Sequence, residues 1–277
     1  MWQVEERRYR RQQRRKSKQR NRWIALTAGA VILVLLFLWP YFPGLFPQLS
    51  RIGRSTAGGV DRYRGAQSIK SLVLDAPFLD QREEYPTGCE SVSAVMALQY
   101  FGVEMDVEEF IDGCLPLGNA PYEDGSGRLV GCDPRKAFPG DPRTEGGWGC
   151  YAPVIEKALR DLLGGRSDTS HLTVETPTGK SLPELCAEYV AKGIPVIVWA
   201  TVDMEPPEEY LSFLIEDTGE EFRWIYPMHC LLLTGWDEDG YLFNDPSAGK
   251  NQFYPKAAAE LAYEGLGMQA LALVPVD

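Results

Sequence analysis

Histidine is almost absent from this 277-residue chain. His171 and His229 are the only two, so imidazole chemistry has two addresses. The six cysteines form no CxxC pair and no His-rich tract accompanies them. The spacing of a structural zinc site is therefore missing, and a chain of this length would need more cysteines to be a disulfide scaffold. No GxxxxGK[ST] loop occurs, which excludes a fused P-loop ATPase. Basic charge is scarce except at one end. Residues 1–22 carry ten Lys/Arg against Glu5 and Glu6, whereas the rest of the chain has a net charge of -19 within the overall -11. That division excludes a general nucleic-acid binder. What remains is 44% hydrophobic and 24% charged, enough to bury one sizeable core.

The basic stretch is followed by the sequence's one long apolar run, Trp23 to Trp39, and no charge occurs from Trp23 to Ser50. At about 1.5 Å per residue the run spans roughly 25 Å, a short but sufficient transmembrane helix. Trp23 and Trp39 stand where interfacial aromatics belong, and Pro40, Pro43 and Pro47 end the helix beyond it. Lys and Arg ahead of the span orient the tail to the cytoplasm and the rest outward. A cleaved signal peptide is the alternative; the long leading region and the lack of a prompt A-x-A site argue against it. The expected organisation is thus a basic cytoplasmic tail (1–22), a transmembrane helix (23–39), an extracytoplasmic stalk rich in small and polar residues (40–70) and a folded domain (71–277).

Within that domain, apolar spacing and stop signals predict helices from Cys89 to Phe101, Asp106 to Gly113, Ala152 to Leu163 and Ser181 to Lys192. Asp106 with Glu109, and Ser181 with Glu184, have capping-box spacing. Short apolar, β-rich runs predict strands at Leu72 to Ala76, Ile194 to Val202, Cys230 to Trp236, Tyr241 to Asn244 and Met268 to Val274. The pattern is an α+β domain with a helical part and an antiparallel sheet part.

Four residues carry the chemistry. Cys89 falls in the first turn of a helix, where the positive helix end favours a thiolate. His229 enters an apolar strand, and the Asp237–Gly240 hairpin turns the chain so that Asp245, at the end of the next strand, reaches the imidazole. Gln81, in a turn-rich stretch eight residues before Cys89, is placed to donate to an oxyanion. Three have a structural reading too, a core thiol, a satisfied buried imidazole and an Asn-Asp-Pro turn, and Gln81 alone is the least specific of the four. His171 lies in a polar loop and reads as a surface residue, while Glu83, Glu84, Trp148 and Trp199 fit packing and solvation as well as a cleft.

These residues sit in segments that resemble a known family. Pro77-Phe-Leu-Asp-Gln81, Gly88-Cys-Glu-Ser-Val-Ser-Ala-Val-Met96, Phe138-Pro-Gly-Asp-Pro-Arg143, Gly149-Cys-Tyr-Ala-Pro-Val154, Met228-His-Cys-Leu-Leu-Leu-Thr-Gly235 and Phe243-Asn-Asp-Pro-Ser-Ala-Gly-Lys250 are similar to stand-alone bacteriocin-processing-peptidase-like cysteine peptidases, family C39. The resemblance spans most of residues 72–275. It implies a papain-like fold with Cys89 as nucleophile, His229 as base, Asp245 as its orienter and Gln81 as oxyanion donor, acting on a peptide or protein substrate without a cofactor or metal. Leader processing coupled to export does not carry over, because the transporter and ATPase of the export peptidases are missing. The 140–143 loop is a turn to which no chemistry is assigned.

With Cys89 kept as a thiol, an odd number of cysteines remains, and Cys230 on its apolar strand is the natural unpaired one. Cys114, Cys132, Cys150 and Cys186 then allow three pairings, of which Cys114 with Cys132, bracketing a Gly/Pro-rich loop, is expected in an oxidising exterior. The functions in competition are a membrane-anchored, outward-facing amide hydrolase, an acyl transferase using the same thioester, a silent peptide- or cell-wall-binding module, and a thiol redox protein. The last ranks lowest because no cysteine lies closer in sequence to Cys89 than Cys114.

Overall fold

The computed structural model of the protein describes residues 70–276. The tail, the apolar run and almost all of the stalk lie outside the described residues. Among the described residues, no helix is long and apolar enough to cross a membrane.

In chain order the elements are β1 (Leu72–Val73), α1 (Cys89–Tyr100), α2 (Val107–Cys114), β2 (Leu117–Gly118), β3 (Tyr122–Glu123), β4 (Leu129–Gly131), β5 (Phe138–Pro139), α3 (Ala152–Gly165), β6 (Leu172–Glu175), α4 (Leu182–Glu188), β7 (Val196–Thr201), β8 (Glu208–Ile215), β9 (Glu221–Tyr226), β10 (Met228–Trp236), β11 (Gly240–Asp245), β12 (Gly249–Pro255), α5 (Lys256–Gly265) and β13 (Ala270–Pro275). All four expected helices and all five expected strands are present, within a few residues of their expected ends. Asp106 caps α2 by accepting the Glu109 N–H at 2.7 Å, and Ser181 with Glu184 forms the reciprocal box that opens α4. The expected helix at Ser181 to Lys192 is two pieces, since α4 gives way at Tyr189 to a 3₁₀ turn over Val190–Lys192.

A seven-stranded sheet forms the centre, in the order β12-β11-β10-β7-β13-β6, with β1 added to β10; every pairing in it is antiparallel. Strand β7, Val-Ile-Val-Trp-Ala-Thr, is buried at every position, which explains its unbroken apolar run. Its alternate residues feed two cores: Ile197 and Trp199 join α1, α2 and α3 on one face, while Val196, Val198 and Ala200 join α4 and α5 on the other. The expected split into a helical part and a sheet part is thus corrected to a sheet with helices on both faces.

Four elements of some length escaped the sequence reading. β8 and β9 pair with each other and, through β4, with β3 in a second sheet whose β4–β8 pairing is parallel. Charge along them (Glu208, Glu209, Glu221, Arg223) masks a period-two signal in β9, where Phe222 and Trp224 point inward. β12 is a polar edge strand, and α5 carries only Ala259, Ala262 and Tyr263 into the core.

The expected Cys114–Cys132 disulfide is not formed: all six cysteines are free thiols. Cys132 instead fills the space left by Gly118, where an added Cβ would lie 2.6 Å from its Cβ and Sγ.

Candidate active site

The site assembles where the β10–β11 ladder ends. The last paired residues are Leu232 and Asn244. Continued by one step, that register puts Asp245 opposite Leu231 and diagonal to His229 on the same face. The side chains meet: His229 Nε2 lies 2.8 Å from Asp245 Oδ1, with both residues buried. Asp245 is held on all sides. Its Oδ1 accepts the Ser247 N–H at 2.8 Å, the Ser247 hydroxyl at 2.9 Å and the Ala248 N–H at 3.2 Å, and its Oδ2 accepts the Tyr254 hydroxyl at 2.5 Å. Burial alone would raise the Asp245 carboxyl, but the His229 imidazole and these donors keep it well below the usual carboxylate range. Burial likewise pulls His229 down, and Asp245, followed by Glu90 and Asp203, outweighs it, so the imidazole holds its proton more strongly than usual.

Cys89 is brought in by α1. Beyond Asn244 the edge of β10 has no strand partner in β11, and α1 takes that place. The Ser93 hydroxyl, one turn after Cys89 on α1, donates to the Cys230 carbonyl at 3.2 Å. The helix that carries the nucleophile candidate is therefore anchored to the residue adjoining His229. Its thiol donates to Glu90 Oε2 at 3.3 Å. Burial, then the Glu90 carboxylate, push this thiol well above its ordinary value, which corrects the expectation that the helix end alone would favour a thiolate.

The approach to α1 is fixed by the 140–143 loop. The Pro142 carbonyl accepts from both the Thr87 N–H and the Thr87 hydroxyl, each at 3.3 Å. The loop is in turn tied to α2 through Arg143, which bonds Glu108 at 2.9 Å and also reaches Asp112. Gln81 is docked by its backbone N–H to the Pro246 carbonyl at 3.0 Å, beside the Asp245 turn. Its side chain is buried, but only a 3.3 Å bond from Nε2 to the Pro86 carbonyl holds it, and Oε1 has no protein partner. Asn244 ties the same segment down by donating to the Ala76 and Pro77 carbonyls at 3.2 and 2.8 Å.

All four expected residues thus lie around one end of β10. His171 is on the surface, Glu83 and Glu84 are exposed, and Trp148 and Trp199 are buried. Glu90, Ser247 and Tyr254 were not assigned from sequence. Ser247 was detectable as the second residue after an Asp, the usual donor to an Asx turn. Tyr254 was not, because its strand was not recognised. Among the described residues no cluster of His, Cys, Asp and Glu is arranged to hold a metal ion.

Residues 73–271 match the Peptidase C39 like family, and the chain belongs to it. The uncharacterized protein YvpB of Bacillus subtilis (strain 168) is 27% identical over 223 residues, covering 79% of this chain and 81% of that protein. The fold is similar to the crystal structure of a C39-like peptidase candidate from Bacillus anthracis, with a TM-score of 0.63 and 24% identity over 74% of this chain and 98% of that one. Family membership supports a cysteine-peptidase type of function on an α+β fold with a central antiparallel sheet.

Proposed function

We propose that the chain is a papain-like cysteine peptidase or amide hydrolase, anchored in the membrane by residues 23–39 with its catalytic domain extracytoplasmic and its N-terminus in the cytoplasm. Cys89 attacks a peptide carbonyl as the thiolate, after its proton passes to His229 Nδ1, the ring nitrogen not engaged by Asp245. Asp245 fixes the ring and stabilises its charged form. The Gln81 amide and the Cys89 N–H receive the oxyanion, His229 returns the proton to the leaving amine, and water hydrolyses the thioester. The observation that carries this reading is the bond from Ser93 to the Cys230 carbonyl, which seats α1, with Cys89 in its first turn, against the residue next to an imidazole bonded to Asp245 at 2.8 Å. For the location, the support is the basic tail followed by an uncharged apolar run.

A silent binding module is favoured by one observation, the thiol's bond to Glu90 rather than to an imidazole. One experiment separates the two. The full chain in detergent is treated briefly with a papain-type epoxide, and intact mass is measured for wild type, Cys89→Ala and His229→Ala. The peptidase reading expects a single adduct that is lost in Cys89→Ala and forms at least about a hundredfold more slowly in His229→Ala. No adduct, or labelling indifferent to His229, makes the binding module the better reading.

A further inference from the structure

Glu90 is a carboxylate in a place where carboxylates are costly. A first-turn glutamate usually faces water and the helix dipole, whereas Glu90 has no exposed surface at all. Among the described residues no lysine or arginine pairs with it, so its charge has no cationic counterpart of the kind that normally compensates burial. It is nonetheless held firmly. The Cys150 N–H donates to Oε1 at 2.6 Å, and the Cys150 carbonyl accepts the Trp199 indole N–H at 2.7 Å, which fixes that peptide against β7. The preceding Gly149 adopts a φ of 102°, and a Cβ there would lie 2.6 Å from Glu90 Oε1 and from the Met228 methyl. The backbone is thus brought over the carboxyl in a conformation suited to glycine. The one remaining oxygen, Oε2, takes the Cys89 thiol.

We infer that Glu90 sets the charge state of the nucleophile: while ionised it keeps Cys89 as a hydrogen-bonded thiol, and when it takes up a proton it releases Cys89 to form the thiolate–imidazolium pair. In the closed form the thiol hydrogen points at Oε2. Uptake of one solvent proton by Glu90 turns the acceptor into a donor toward Sγ, and the thiol proton passes to His229 Nδ1. The carboxylate, thiol, neutral imidazole and added proton become a carboxylic acid, a thiolate and an imidazolium, with atoms and charge conserved. The titratable groups around Glu90 are Cys89 on its own helix, Cys150 on the segment before α3, and His229 and Cys230 on β10. Three of these are thiols raised in part by Glu90's charge. Burial, only partly opposed by its hydrogen bonds, lifts the Glu90 carboxyl to about 7, so the change falls in the physiological range.

The inference rests on Cys89 and His229 being the reactive pair, and its test separates the two. Alkylation of Cys89 by iodoacetamide, a neutral probe, is followed by intact mass from pH 5 to 9 on the full-length protein, in wild type, Glu90→Gln and His229→Ala. An ungated Cys–His pair gives a rate that rises and levels off. The expected wild-type rate instead falls on passing through neutrality. In Glu90→Gln, whose amide keeps the shape and can donate to sulfur, the fall disappears and the rate at pH 8.5 exceeds that of wild type by about tenfold. A wild-type profile that only rises, or a fall that persists in Glu90→Gln, overturns the role of Glu90 while leaving the peptidase reading intact. Labelling indifferent to His229 overturns both. Should Glu90→Gln not fold, the wild-type profile alone decides.

Discussion

The two halves of the site are built in opposite ways. The imidazole half is overdetermined: Asp245 receives His229, Tyr254, Ser247 and two backbone N–H groups, so the orientation of the ring is fixed. The thiol half is held back: Cys89 is buried, and its thiol is bonded to a carboxylate that opposes its ionisation. If the proposed roles hold, a preorganised base and a restrained thiol place control of the chemistry in the helix rather than in the sheet. Three substitutions test that contrast.

The largest effect is expected from Asp245→Ala. It leaves His229 buried without its acceptor and also strands the donors of the 245–248 turn, so a loss of about 3–5 kcal/mol in denaturant unfolding is expected. Cys89 labelling should slow by at least about a hundredfold. The sign of the pH dependence follows from the two shifts. Asp245, held low, contributes stability above the ordinary carboxylate range that is lost only as pH falls through its folded value; His229, held high, contributes below about 6.5 and loses that contribution as pH rises through its own. The difference from wild type should therefore be greatest between about pH 5 and 6.5. A difference that grows steadily toward pH 9 would refute the pairing as the source of stability.

Glu90→Gln should act in the opposite direction. A buried carboxyl lifted from 4.5 to about 7 favours the folded state while protonated and disfavours it once charged. Stability is therefore lost as pH rises from about 4.5 to about 7, and stays lost above. The amide does not titrate, so the variant should be the more stable protein at pH 8, by up to about 3 kcal/mol, with the advantage vanishing near pH 4.5. Thermal midpoints at the two pH values check this, and equal midpoint differences would show that the charge carries no cost.

The smallest effect is expected from Tyr254→Phe. It removes one of several donors to Asp245, which should cost about 1–2 kcal/mol and slow Cys89 labelling by a few-fold to tenfold. An effect as large as that of Asp245→Ala would mean that the tyrosine, and not the turn, orients the carboxylate.

These contrasts also mark what could be read without coordinates. Long periodic segments were legible because burial on one or both faces writes itself into local composition, as in α1 and β7. Cys89 and His229 stood out because a first-turn thiol and one of only two histidines are visible in any reading of the chain, and the hairpin between β10 and β11 gave Asp245. The Glu90 carboxyl was seen as part of a motif but given no role, since nothing local distinguishes a buried glutamate from a solvated one in the first turn of a helix. Tyr254 and the Gly149–Cys150 peptide were equally silent, as their partners lie 9 and 60 residues away.

The sequence by itself determined most of the element types and pointed to four candidate residues that the fold places around one end of β10, because each depends on short-range pattern: helix caps, strand alternation and a hairpin of fixed register. Only the tertiary structure decided that helices cover both faces of the sheet, that all six cysteines stay thiols and that a buried glutamate stands against the Cys89 thiol. Those outcomes depend on which distant surfaces exclude water together, and desolvation is a property of packing that no local window contains.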